Sequence, residues 1–317
     1  MMWSEKKAYR SAVSLSLALF LVLVSSCRKK DGWRTTTLVY FDTVCEIRCF
    51  CDPSDFRRSL KEVHRIFSEI ELLFSPETKD YSSCRVLSLY RRAEQIYRAT
   101  GACFDITVAP LSRIWGFWDE SRRVPKPEAI ESLLPSIGMD KVVVTEHGLH
   151  LEPGMALDWG GIAKGFGIDL ASKAFESIGI AKGFINAGGD LYCWGKNPDG
   201  APWKIAVQHP RRSGFIGVLS LENSGAATTG DYQRYFIENG IRYHHVFDPK
   251  TGYPARGKQS VTVVGPETLV CDALSTALFV SPEPRNILEK FPEYGALIVD
   301  ENGRMEQLGR PMFFRPY

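Results

Sequence analysis

Apolar residues recur at helical spacing in several stretches of the chain. After Asp55, the positions Phe56, Leu60, Val63, Phe67, Ile70 and Phe74 line one helix face. A second helix is predicted over about Ser83 to Thr100, stopped by Gly101. Ile162, Phe166, Leu170, Ala174 and Ile178 stand four apart, the stripe of an amphipathic helix that ends at Gly179. "CDALSTALFV" also reads as a helix. Elsewhere the period is two. "TLVYFDTVCEIRCF" alternates and is β-rich, which predicts a strand. "KVVVTEHGLHLEPGMALDW" reads as two or three strands with turns at His147-Gly148 and Pro153-Gly154. "GFINAGGDLYCWG", "WKIAVQHP", "GVLSLENSGAATTG", "RYFIENGIRYHHVFDP" and "QSVTVVGP" are strand-like, and "YGALIVDENGRMEQLG" predicts a closing hairpin. No βαβ rhythm runs through these elements. The fold class is therefore α+β, with mixed, mostly antiparallel sheets packed with helices as one compact unit or two lobes.

The N-terminus departs from this pattern. Lys6, Lys7 and Arg10 precede an apolar run, Ala12 to Val24, that falls short of the ~20 residues a spanning helix needs. Small residues and Cys27 follow, and "LVSSC" resembles a lipobox. The expectation is a lipoprotein signal over 1–26, lipidation at Cys27, a polar tether over 27–36 and one domain over 37–317. The protein would then sit in the bacterial cell envelope, lipid-anchored on the periplasmic side of a membrane.

Composition narrows the partners. The 317 residues are 44% hydrophobic, enough for a sizeable core, and the net charge is only +2. No basic run is long enough to suggest nucleic acid. The seven cysteines after Cys27 lack zinc-knuckle spacing. Cys45, Cys49 and Cys51 share strand parity with Ile47, which predicts buried thiols serving as small apolar residues.

Three stretches carry candidate chemistry. In "ALDWGGIAKGFGID" a strand is predicted to end near Asp158 and a helix to begin near Ile162. A helix start with free N–H groups favours anions, and glycine lets a ligand approach the backbone. Lys164 in the first turn adds positive charge where the helix dipole disfavours it. The spacing is not that of a P-loop; a tight strand–helix turn with a solvated lysine is the alternative. In "CDALSTALF", Asp272 and Thr276 share a helix face and offer hard oxygen donors suited to Mg²⁺; helix capping by Asp272 is the alternative. In "YHHVFDPKTGYPA", Asp-Pro-x-Thr-Gly is turn chemistry, and of the alternating His244 and His245 only one faces a given pocket. Gly-rich "NAGGD" and "SGAATTGD" are expected to be loops that bring backbone close to a neighbour.

Taken together, these motifs resemble the ApbE family of FAD:protein FMN transferases, from about Phe41 to Phe279. In order they are F-D-T at Phe41-Asp42-Thr43, "GACFDITVAPLSRIWGF", "LDWGGIAKGFGID", "INAGGDLYCWG", "AATTGDYQRYF", "HVFDPKTGYP" and "CDALSTALF". The resemblance implies a Mg²⁺-dependent enzyme that moves FMN from FAD to a threonine of an acceptor flavoprotein and releases AMP. It implies metal contacts from Gly161, Asp272 and Thr276, FAD contacts from Phe41, Cys103, Phe104, Asp105, Asp158, Lys164 and Phe247, and His245 as the base. Many members read M-G-T where this chain has Phe41-Asp42-Thr43, and some carry a second acid where it has Ser275. Two rival readings keep the same ligand. A Mg²⁺-dependent FAD pyrophosphatase would give free FMN and AMP, and a non-catalytic FAD-binding lipoprotein would release no AMP.

Overall fold

The computed structural model describes residues 31–75, 78 and 80–317. Lys6 to Cys27, and with them the predicted signal and lipidation site, lie outside the described residues. Among the described residues no helix is long and apolar enough to cross a membrane.

The chain's first β segment is two strands rather than one. β1 (Gly32–Tyr40) and β2 (Thr43–Cys51) pair antiparallel, with Tyr40 opposite Thr43. The two residues between them, Phe41 and Asp42, take φ of 57° and 54°. That is the left-handed pair a two-residue hairpin needs, and Asp is among the few non-glycine residues that tolerate it. The domain accordingly begins earlier than predicted: the supposed tether over 27–36 is strand from Gly32. Its threonines are good β formers, and Trp33 packs edge-on against Phe50 at 5.5 Å and Trp203 at 5.7 Å.

β1 and β2 open an eight-stranded sheet of order β1-β2-β5-β6-β9-β12-β13-β14. The strands that follow are β5 (Gly183–Ala187), β6 (Asp190–Trp194), β9 (Ser224–Gly230), β12 (Lys258–Gly265), β13 (Gly295–Asp300) and, at the far edge, β14 (Met305–Gly309). Every pairing within this sheet is antiparallel. β3 (Val143–Thr145) and β4 (Gly148–His150) form a separate hairpin. The expected loop "SGAATTGD" is β9, in the middle of the sheet. Its small residues allow a helix to lie close: a Cβ added to Gly225 would stand 2.7 Å from Thr268 Oγ1. "NAGGD" does contain the predicted turn, with Gly188 and Gly189 at φ of 64° and 103° between β5 and β6.

The helical stripes bury against one face. α1 (Pro53–Leu73) is capped by Asp52, which accepts from the N–H groups of Ser54 and Asp55, and buries Val63, Ile66, Phe67 and Ile70. α2 (Cys84–Ala99) starts from a Ser83 cap and ends where predicted. The short α3 (Ala109–Ile114) and α4 (Pro127–Leu133) follow. α5 (Ala163–Ser177) and α6 (Thr268–Val280) pack together beneath the sheet, and α7 (Pro284–Leu288) closes the helical layer. The cysteine parity holds: Cys45, Ile47 and Cys49 have no exposed surface and join the core beneath the helices. On the other face β15 (Phe314–Pro316), β8 (Phe215–Leu221) and β7 (Trp203–Gln208) form a three-stranded sheet over Leu191, Cys193 and Leu297. A third apolar cluster of Leu111, Trp115, Phe117, Ile130, Ile137 and Phe247 stands beside the hairpin of β10 (Tyr235–Glu238) and β11 (Ile241–His244). Asp31–Tyr317 is one unit, so the two-lobe alternative is not needed.

The closeness of α5 to α6 rests on one glycine. A Cβ on Gly165 would lie 2.5 Å from Thr268 O and 2.7 Å from Leu269 Cα, both backbone atoms that cannot swing aside. Gly165→Ala is therefore expected to destabilise the protein by about 1–3 kcal/mol through overpacking, despite the ~1 kcal/mol alanine gains in helix propensity. Urea unfolding checks this, and wild-type stability would contradict it.

Candidate active site

The bend before α5 is built by Asp158. Its backbone N–H donates to Ile106 O, its Oδ1 accepts the Gly160 N–H at 2.9 Å, and its Oδ2 accepts from Ser112 Oγ at 3.3 Å. These bonds tie the glycine bend to α3. Residues Gly160 and Gly161 then carry the chain past α6: a Cβ on Gly161 would meet Thr276 Oγ1 at 3.2 Å and the Phe104 ring at 3.4 Å. The start of α5 is less open to anions than its sequence suggests. The Ala163 N–H donates to Trp159 O at 2.9 Å, and the Gly165 N–H to Asp272 Oδ2 at 3.2 Å.

Asp272 lies five residues into α6 and is 4% exposed, so it does not cap that helix. The cap comes from α5: Asp169 Oδ1 and Oδ2 accept the N–H groups of Thr268 and Leu269, each at 2.9 Å. Burial raises the Asp169 pKa to about 6. The hydroxyls form a chain. Ser275 Oγ donates back to Asp272 O at 2.8 Å, Thr229 Oγ1 is 2.7 Å from Ser275 Oγ, and Thr276 Oγ1 is 3.2 Å from Thr229 Oγ1. With each hydroxyl donating toward Ser275, Thr276 spends its proton and keeps its lone pairs. Ser275, which stands where some family members have an acid, thus orients the pair around it.

Lys164 sits between two carboxylates. Its Nζ is 2.6 Å from Asp190 Oδ2 and 3.7 Å from Asp272 Oδ2. Burial alone would lower its pKa, but Asp190 and Asp272 outweigh that and hold the ammonium above its usual range. Burial pushes Asp272 up, against the pull of Lys164. Asp190 Oδ1 accepts the Thr228 N–H at 3.3 Å; Oδ2 has no well-aligned hydrogen bond, so its contact with Lys164 is ionic rather than directional. With Asp272 ionised, two carboxylates against one ammonium leave a net negative charge, and a cation bound here would hold that carboxylate in its charged form. Among the described residues no three His, Cys, Asp or Glu side chains converge on one point. The donors to hand are instead a carboxylate, a hydroxyl and the backbone of the bend. That set fits a hard divalent ion such as Mg²⁺, which takes few protein ligands and keeps water or phosphate oxygens.

The histidine pair divides as its alternation predicts. His244 is 3% exposed; its Nδ1 accepts the Val246 N–H at 3.2 Å, so Nε2–H donates to Ala255 O at 2.8 Å. Burial lowers its pKa to about 4. His245 is partly exposed. Its Nδ1 lies 3.3 Å from Arg234 O, and with Nδ1–H donating there the lone pair is on Nε2. Although part of the residue reaches solvent, the ring itself is packed against protein, and its desolvation, followed by Arg234, His244 and Lys164, lowers its pKa to about 3. The following turn is held by Gly252 N–H to Asp248 O at 2.8 Å and by Trp115 Nε1–H to Gly252 O at 3.0 Å.

The remaining predicted FAD contacts are scattered over this region. Phe41 lies in the hairpin turn, its ring 5.0 Å from Phe67 and 3.2 Å from where a Gly167 Cβ would be. Phe104 borders Gly161, and the adjacent Cys103 is buried, which raises its thiol pKa. Asp105 accepts from Thr107 N and Oγ1 at 2.8 and 2.6 Å and so holds a tight turn; burial raises it to about 6. Phe247 belongs to the Trp115 cluster, 6.0 Å from Phe117, which also borders His245 at 6.5 Å. Sequence reasoning assigned no role to Asp169, Asp190, Thr229 or the Arg234 carbonyl. All four sit inside motifs already quoted, but only tertiary pairing reveals their partners.

Residues 41–298 match the ApbE family. The chain is 29% identical to the FAD:protein FMN transferase of Haemophilus influenzae, across 88% of this chain and 89% of that protein. It is 32% identical to the Escherichia coli K12 protein of the same name over 57% of this chain and 54% of that one. Among solved structures, the ApbE protein of Thermotoga maritima superposes with a TM-score of 0.81 at 32% identity, over 87% of this chain and 97% of that chain. The flavin transferase ApbE of Vibrio cholerae gives 0.77 at 25% identity, over 87% and 96%.

Proposed function

The chain belongs to the ApbE family, and on that premise we propose that it transfers FMN from FAD to a threonine hydroxyl of an acceptor flavoprotein, with Mg²⁺, releasing AMP. The observation that carries this reading is the approach of Gly161 to Thr276 one turn from Asp272, with Lys164 between Asp190 and Asp272 beside them. Asp272, Thr276 and the Gly161 backbone would hold the metal. When bound, Mg²⁺ supplies charge neutralisation to the phosphate oxygens that take up negative charge in phosphoryl transfer.

The chain's own residues divide the remaining work. Asp158 fixes the bend, so that the phosphates can approach glycine backbone without a side chain between. Lys164, held charged by Asp190 and Asp272, adds a second cation at the same place. Phe104 and Phe41 provide ring faces within this region for an apolar part of the dinucleotide. His245 accepts the proton of the attacking hydroxyl at Nε2. The hydroxyl oxygen bonds to the FMN phosphorus, the pyrophosphate bridge to AMP breaks, and AMP leaves with the bridging oxygen. The neutral ring of His245 is ready for this, and Arg234 O fixes its tautomer.

Incubation with FAD, Mg²⁺ and a threonine-bearing acceptor, followed by mass spectrometry, tests the reading. The expected result is an FMN-sized addition on threonine together with AMP. Free FMN alone would make the protein an FAD pyrophosphatase, and no AMP would make it a binding protein.

The N-terminal segment supports a second proposal, that Cys27 carries a lipid anchoring the enzyme at the periplasmic side of a membrane. Metabolic acyl labelling of the full chain should mark the wild type and leave Cys27→Ala unmarked. A labelled Cys27→Ala variant would overturn the anchor.

A further inference from the structure

The helix bearing Asp272 and Thr276 has no cap of its own. Its N-cap residue, Glu267, makes no capping bond and turns instead to Arg92 at 2.9 Å. The first N–H groups of α6 are taken by Asp169 in the middle of α5, one to each carboxylate oxygen, and Asp169 is only 8% exposed. In the other direction, Asp272 on α6 accepts the Gly165 N–H in the first turn of α5. Each helix therefore closes the N-terminus of the other, with Gly165 allowing the backbones to touch.

A helix rises 1.5 Å and turns about 100° per residue. Pinning its first turn sets the height and rotation of residues four and eight positions on, which here are Asp272 and Thr276. A bidentate carboxylate contact pins both. Thr268 Oγ1 adds a third tie to the same turn by donating to Leu191 O at 3.3 Å, whereas the mutual contact through Gly165 N–H lies on the carboxylate that would have to meet the metal.

We propose that Asp169 is a positioning residue that sets the divalent-cation affinity of the site by fixing α6 against α5. The inference rests on the reading of Asp272 and Thr276 as metal ligands. Groups that orient metal ligands from behind typically contribute about 10–100-fold to affinity, and the same range is expected here.

The test is a Mn²⁺ titration of the FAD-loaded full chain, with free Mn²⁺ read by electron paramagnetic resonance, alongside the Mg²⁺ dependence of turnover. Asp169→Ala should weaken Mn²⁺ binding about 10–100-fold and raise the Mg²⁺ concentration for half-maximal rate in step. At saturating Mg²⁺, kcat should return to within a few-fold of wild type. Asp169→Asn keeps one acceptor oxygen and should fall between. A purely structural role predicts a lower melting temperature with unchanged Mn²⁺ affinity in both variants, and that result overturns the proposal. If Asp169→Ala does not fold, Asp169→Asn decides alone: weaker Mn²⁺ binding supports the proposal and wild-type binding overturns it. Asp272→Ala separates the two claims. Undiminished Mn²⁺ binding by that variant would sink the metal site itself, whereas lost binding there with wild-type binding by the Asp169 variants would sink only the positioning role.

Discussion

Asp272→Ala is expected to abolish FMN transfer, a fall of about 10³-fold or more. The loss follows from removing the only carboxylate in the proposed ligand set: Lewis-acid stabilisation of this kind is worth several kcal/mol, and each ~1.4 kcal/mol is tenfold in rate. The substitution also strips the Gly165 N–H of its acceptor and leaves Lys164 with Asp190 alone. Steady-state transfer at saturating FAD, with Mg²⁺ varied to high concentration, measures it. Full activity of Asp272→Ala with Mg²⁺ present would remove the metal assignment.

His245→Ala should lower the rate by about 10²–10⁴-fold, the usual contribution of a general base, and leave measurable turnover. The residue of activity is expected because positioning and charge neutralisation carry most of phosphoryl transfer. FAD affinity, read by flavin fluorescence, should change little. A companion expectation concerns pH. A free imidazole gains its proton near 6.5, but burial and the nearby Arg234 and Lys164 charges lower His245 to about 3. The base form therefore persists as pH falls through 6.5, and the ring protonates only at much lower pH. The wild-type rate should show no inflection near 6.5 assignable to this ring. Such an inflection, if it disappears in His245→Ala, would show that the ring is far better solvated than its surroundings imply.

Local elements and the candidate site differ in how much of them is legible in the chain. The stripe on α1, the Ser83 start and Gly101 stop of α2, and the Gly179 end of α5 depend on local periodicity and capping, and local rules found them. The hairpin at Phe41-Asp42 was missed because neither residue is glycine, and an alternating run looks the same whether or not it reverses. The small, glycine-rich composition of β9 predicts a loop. That composition serves α6, which lies against it, and the reason is invisible until the helix is in place. Asp272 and Thr276 were found as an i, i+4 pair, a local relation. Asp169 meets α6 across 99 residues of sequence, and Lys164 on α5 meets Asp190 on β6, so neither contact has a local signature. His244 and His245 were separable in principle by alternation, but only the Ala255 carbonyl and the Phe279 ring show which one is spent on packing.

The sheet order has a bearing on biosynthesis. β2 waits for β5, β6 pairs with β9, and α5 receives Asp272 only when α6 has been made. A ribosome that stalls before Thr268 leaves a polypeptide with a bare glycine bend, a lysine answered by Asp190 alone, and neither Asp272 nor Thr276. Such a fragment lacks both side chains of the proposed metal site, so that site is completed only after strands β1 to β12 have been made.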